Sequence, residues 1–432
     1  TAADRAYMMY YSGGTEIVMS QVSEFISKNF KYTIRCEKED VGNLIGLPYP
    51  YTTPCANECF VEMYYWDTYF INVGLLASGN TEQAKYNADN IRFLINKYGY
   101  MPNGNRTSFL GATQPPFYFK MVEEIFERTG DKDWLSESYA AIAKEYSYWQ
   151  QNRSAPNGLN VYGNKSNFSD DVIERKYNYF KSRFKGFETE DRKERANCAH
   201  TITALTESGW DCSSRFENAG GFYNPIDLNS LLYGLEKAME KFSVIIGSGE
   251  SEVWKKRAAD RKNRILKFMF DEKSGVFLDW NYKEERLSPV FSVASFYPFF
   301  VGISERCESS VSHLEEKMLT KYGVTACEKG NYPYELQWDY PNIWAPLQYI
   351  SYIALKKCGY KDLAETIAKT YINLIGSSFA ETGNLWEKYS GLDGRVANAD
   401  YNAPKMMGWT AGVYLFFCKE LNIDFPKDIC AV

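Results

Sequence analysis

The chain has 432 residues, 45% of them apolar and 24% charged, with a formal net charge of −6. This is the composition of a soluble globular protein, and its negative balance argues against nucleic acid or an anionic membrane as partner. No apolar run reaches the roughly 18 residues a membrane span needs. Ten cysteines form no CxxC pair and stand beside only two histidines, so neither a metal nor a cofactor is expected.

In chain order, a helix is predicted over Glu16 to Lys28, within an N-terminal extension of residues 1–46 expected to pack on the main body. From Leu47 to Cys59 a Pro- and Tyr-rich run cannot be helical and reads as a loop laid across a surface. Helical spacing then follows almost without a break. Ala84, Ala88, Ile91, Leu94, Ile95 and Tyr98 share one face, as do Leu228, Leu231, Leu232, Leu235, Ala238, Met239 and Phe242. Further helices are predicted near 66–77, 116–129, 134–150, 252–270, 310–319, 345–356, 363–375 and 406–421. The segment 152–196 is polar and then charged, and reads as a flap or an insertion. Long loops rich in Gly, Asn, Pro and Trp lie between the helices, and long loops in a compact domain are usually functional. The expectation is all-α: one domain, residues 47–432, with helices as scaffold and acids on loops.

Tryptophan directly precedes an acid at Trp66-Asp67, Trp210-Asp211, Trp338-Asp339 and Trp386-Glu387, spread over more than 300 residues of a chain that is 16% aromatic. Such repetition suggests one pocket assembled from several loops. Aromatic faces hold sugar rings; carboxylates hold hydroxyls or move protons. Quieter readings stand beside this one. Asp67, Asp211 and Asp339 suit helix capping, Glu62 and Arg215 suit an ion pair, and Trp66, Trp210, Trp338, Trp344 and Trp386 suit a core.

Five segments carry a family resemblance. Phe60-Val-Glu62-Met-Tyr64-Tyr-Trp66-Asp67-Thr-Tyr69 follows F-x-E-x-Y-x-W-D-x-Y, and Gln337-Trp338-Asp339 with Pro341, Trp344 and Pro346 follows Q-W-D-x-P-x-x-W-x-P. Asn103 to Arg106 with Gln114-Pro-Pro, Glu207-Ser-Gly209-Trp210-Asp211 through Arg215, and Trp386-Glu387-Lys388-Tyr389 complete the set. Together they resemble the trehalases, glycoside hydrolase family 37, over roughly residues 47–420. The resemblance implies an (α/α)6 barrel, no metal, and inverting hydrolysis of an α-linked glucoside, with Asp211 as general acid and Glu387 as general base. It also implies sugar contacts from Phe60, Glu62, Tyr64, Trp66, Asp67, Asn103, Arg106, Gln114, Glu207, Gly209, Trp210, Arg215, Gln337, Trp338, Asp339, Trp344, Trp386 and Asp400.

The chain also departs from the family pattern. Cys59 stands where the family has an arginine before the phenylalanine, preceded by Asn57 and Glu58 in place of glycines. Ala112 replaces an arginine two residues before Q-P-P. Thr203 to Thr206 stand where another arginine is usual, and Ala397 to Tyr401 replace a Gly-rich run and Glu-Tyr. Arginine holds sugar hydroxyls with a rigid, multidentate fork that no shorter side chain reproduces. Trehalose is therefore the leading substrate, another small α-glucoside or a glucosyl- or mannosylglycerate the competitor, and a sugar-binding protein without turnover the third reading. A small sugar is the expected partner, with neither nucleic acid nor membrane, on a monomer or weak homo-oligomer. The sequence leaves the compartment unknown and favours the cytoplasm; a chain beginning with Thr1 is compatible with a leader removed or never included.

Overall fold

The computed structural model describes residues 14–56, 59–163, 167–330, 332–398, 401–405 and 408–430. The protein is mostly helical. In order come α1 (Gly14–Asn29), α2 (Tyr65–Ala77), α3 (Thr81–Tyr98), α4 (Tyr118–Thr129), α5 (Lys132–Asn152), α6 (Asp170–Arg183), α7 (Arg192–Ser208), α8 (Ile226–Ile246), α9 (Ser251–Met269), α10 (Tyr297–Phe300), α11 (Glu308–Lys317), α12 (Ala345–Lys357), α13 (Lys361–Thr382) and α14 (Gly408–Glu420). Strands are two or three residues long and pair antiparallel. No described helix is long and apolar enough to cross a membrane.

Chain neighbours pack as pairs, most extensively α8 with α9, α6 with α7 and α12 with α13. A second set of contacts runs α2 to α4, α4 to α8, α8 to α10, α10 to α12, α12 to α14, and α14 back to α2. The last contact is the closest. A Cβ on Gly74 would lie 2.4 Å from the Gly412 Cα, so the two backbones meet where neither carries a side chain. Helix α2 is buried on every side, as a helix apolar all round must be. One hydrophobic core runs from Met19 to Ile429. The N-terminal helix joins it through Val22 and Ile26, with Phe25 5.1 Å from Phe379 of α13.

The loop after the extension behaves as its prolines require. Its backbone is tied to α3, with Tyr49 N donating to Asn90 Oδ1 and Thr52 N to Asn87 Oδ1, each at 3.1 Å. The segment 152–196 is not loop throughout: it contains all of α6 and the start of α7. Ile173, Tyr177 and Phe180 form a buried stripe on α6, at helical spacing within a strongly charged sequence.

Candidate active site

The loops between helices converge on one small pocket. Of the residues expected to form a site, it brings together Phe60, Tyr64, Trp66, Asp67, Gln114, Gly209, Asp211, Gln337, Trp338, Trp344 and Glu387. Pro54, Tyr401 and Trp409 also line it.

Each wall is held by contacts between distant loops. Helix α2 begins beneath the pocket, where Tyr65 N donates to the Asn103 carbonyl at 3.1 Å and Trp66 N to Gln114 Oε1 at 3.1 Å. These bonds satisfy orphan amides at the helix start and set Asp67 in its first turn. Gly209 ends α7 at φ +77°, and a Cβ there would sit 2.6 Å from Trp66 Cε2. Only glycine lets α7 stop against the indole and turn Asp211 inward. Asp339 accepts Ser213 Oγ at 2.9 Å and Ser214 N at 3.0 Å, while Trp338 N donates to the Cys212 carbonyl at 2.8 Å. The strand Asn342–Trp344 pairs with Lys388–Ser390, placing Lys388 opposite Trp344 and Glu387 beside it. Behind the carboxylates the tryptophans pack on one another: Trp338 stacks on Trp344 with centroids 3.7 Å apart and on Trp210 at 5.6 Å. Trp66 and Trp409 meet the same group edge-on or tilted.

Three carboxyl groups thus share one small, aromatic-walled space, and their environments differ. Burial pushes Asp211 up to about 7, aided by the charge of Glu387 and opposed by Arg183 and Lys388. Burial also raises Asp67 well above the ordinary carboxylate range, with Glu387 and Asp211 adding to it. Glu387, 3% exposed, is raised by burial as well. Its charged form is favoured by Lys388 Nζ, 3.0 Å from Oε2, and by the Tyr401 hydroxyl, which donates to Oε1 at 2.5 Å. The Lys388 ammonium in turn lies 3.7 Å from the Tyr401 ring centroid. Gln337 Oε1 is buried against the pocket with no partner among the described residues. An unpaired buried acceptor is costly, and a ligand hydroxyl is the kind of group that satisfies it.

Other expected sugar contacts are placed elsewhere. Glu207, fully buried, receives Arg153 through Nη2 at 2.6 Å and Nε at 3.1 Å, and also accepts Thr113 N and Gly163 N. Arg215 is enclosed between Asp279 and Asp227, its guanidinium 4.7 Å from the Trp210 ring centroid. Glu62 and Arg106 pair with each other, Asn103 donates to the Thr113 carbonyl, and Asp339 is committed to Ser213 and Ser214. Trp210 lies in the core behind the wall, and Trp386 turns away to donate Nε1 to Thr382 Oγ1 at 2.9 Å. These residues position the lining; they do not form it. Asp400 lies outside the described residues. Of the unexpected lining residues, Tyr401 falls in the stretch singled out for departing from the family, whereas Trp409 sits in an apolar helix with no local signal.

The chain matches the trehalase family model over residues 18–422. It belongs to the trehalase family. It is accordingly a glycoside hydrolase. Among solved structures it is similar to neutral trehalase Nth1 from Saccharomyces cerevisiae, at 27% identity and TM-score 0.73, over 86% of this chain and 73% of that one. It shares its fold with a family 63 mannosylglycerate hydrolase from Thermus thermophilus, at 16% identity and TM-score 0.62, over 93% and 99% of the two chains.

Proposed function

We propose that this trehalase-family chain hydrolyses a small α-linked glucoside with inversion, on a toroid of paired helices within residues 47–432, with 14–46 of the 1–46 extension packed on it and 1–13 outside the described residues. α,α-Trehalose is the leading substrate. The observation that carries the reading is the pair of unlike carboxyls in one pocket: Asp211, raised to about 7, and Glu387, paired with Lys388 and Tyr401. Groups whose environments push their acidities apart are the signature of acid–base division of labour.

In this mechanism Asp211 enters protonated and gives its proton to the glycosidic oxygen as the bond to the anomeric carbon breaks. Glu387 takes a proton from a water that attacks the opposite face, at an acid–base separation of roughly 6.5–9.5 Å. Lys388 and Tyr401 hold the base charged and oriented. Asp67 and the unpartnered Gln337 Oε1 receive sugar hydroxyls, and the indoles exclude solvent around the developing positive charge.

A second reading keeps the chemistry and changes the leaving group, because among the described residues lining the pocket there is no arginine. Assaying released sugar from α,α-trehalose, other α-disaccharides and α-glycosylglycerates separates the two. Saturable sugar binding without hydrolysis of any member contradicts both and supports a binding protein.

The reading also fixes the sign of the pH dependence. The value for Asp211 is raised, so kcat/KM is expected to fall as pH rises through about 7 and the acid loses its proton. It falls again on the acidic side as Glu387 becomes protonated, at a pH above the ordinary carboxylate value. The two limbs belong to the coupled pair. A rate profile from pH 4 to 9 checks this; a rate still rising above pH 8 contradicts it.

A further inference from the structure

The guanidinium groups that the family uses to grip sugar are replaced here by Cys59, Ala112 and the Thr203–Thr206 stretch. An arginine from outside every recognised motif nevertheless meets the residue that follows Asp211. Arg183 is the last residue of α6, the helix hidden in the charged segment. Its Nη2 donates to the Tyr179 hydroxyl at 3.0 Å, and its guanidinium lies 4.8 Å from that ring's centroid. Its carbonyl receives Cys212 Sγ at 3.9 Å, which fastens the end of α6 to the residue following Asp211. Arg183 is the leading charge that opposes the effect of burial on Asp211, and Tyr179 in turn feels the charge of Asp211.

Neither Arg183 nor Tyr179 lines the pocket that holds Gln114, Gln337 and Glu387. Arg183 is half-buried and Tyr179 is 39% exposed, so the end of α6 that meets Cys212 is open to solvent. The proton of Asp211 goes to the glycosidic oxygen. With the glucosyl ring in the pocket beside Glu387, a leaving group on the far side of that oxygen would meet the end of α6, which Cys212 fastens next to Asp211.

We propose that α6 builds the leaving-group subsite, with Arg183 as its specificity-determining residue. Arg183 takes paired oxygen acceptors on the leaving group, either vicinal hydroxyls or a carboxylate. A guanidinium fork matches two such oxygens at once, and the Tyr179 contact holds it before the ligand arrives, which lowers the ordering cost of binding. The inference rests on the reading of Asp211 as the general acid.

The test compares wild type, Arg183→Met and Arg183→Lys on α,α-trehalose, α-glucosylglycerate and α-glucosyl fluoride. Fluoride departs without an acid and offers the guanidinium no paired oxygens. Arg183→Met is expected to lower kcat/KM on the preferred glucoside by about 100-fold, mainly through KM, and to change turnover of the fluoride by less than about threefold. A larger loss on the glycerate marks a carboxylate partner, with partial recovery in Arg183→Lys; a larger loss on trehalose marks hydroxyls. Equal losses on glucoside and fluoride assign Arg183 a structural role and overturn the proposal, as does an unchanged Arg183→Met. A wild-type chain that cleaves none of the three removes the general-acid reading and this assignment with it.

Discussion

Asp211→Asn is expected to cut turnover of the natural glucoside by roughly 10²–10⁴-fold while leaving the fold intact. The amide cannot give up a proton to the glycosidic oxygen, yet it fills the same space in the pocket wall. The loss should be selective: α-glucosyl fluoride needs no acid, so Asp211→Asn retains most of its rate on that substrate. Glu387→Gln loses both substrates, because water still requires a base whatever leaves. Stability moves the other way. The folded value of Asp211, about 7, lies above the ordinary 3.8. Its stabilising contribution is therefore complete below about pH 4 and lost as pH rises through 7. Asp211→Asn should then raise the unfolding free energy at pH 8 by roughly 1–4 kcal/mol and leave it nearly unchanged at pH 4. Thermal denaturation at the two pH values measures the difference. A variant equally destabilised at both contradicts the assigned environment.

The second large effect is one of stability. Glu207→Gln should destabilise the protein by about 3–5 kcal/mol, since it leaves Arg153, 3% exposed, without its charge partner. Glu207 joins Arg153 at the end of α5 to the backbones of Thr113 and Gly163, so three loops around the pocket lose one shared anchor. Arg153→Met should cost a similar amount, and the double variant less than the sum, as coupled partners require. Chemical denaturation of the four proteins gives the coupling energy. A Glu207→Gln protein of unchanged stability with a raised KM would instead return Glu207 to the sugar.

The four Trp–acid pairs show what sequence reading reaches and where it stops. All four looked alike, and Asp67, Asp211 and Glu387 do meet in one pocket. Asp339 does not line it, because its oxygens are taken by Ser213 and Ser214, some 125 residues away. No local pattern reports which distant amide an aspartate will accept. Arg215 and Glu207 show the same limit: their motif marks them out, but the partners they pair with, Asp279, Asp227 and Arg153, belong to no motif. Helix α6 is a different case. Ile173, Tyr177 and Phe180 were readable at helical spacing, and the surrounding charge obscured a stripe only one face wide. Trp409 gave no signal at all, since in an apolar helix a pocket-facing indole and a core indole look the same.

The central claim is that Asp211 and Glu387 work from opposite sides of one scissile bond with a water between them. The most direct measurement is the anomeric form of the first glucose released from α-glucosyl fluoride, followed by proton NMR before mutarotation. The account predicts β-glucose. α-Glucose as the first product would place a covalent step where the account has a water, and would contradict it.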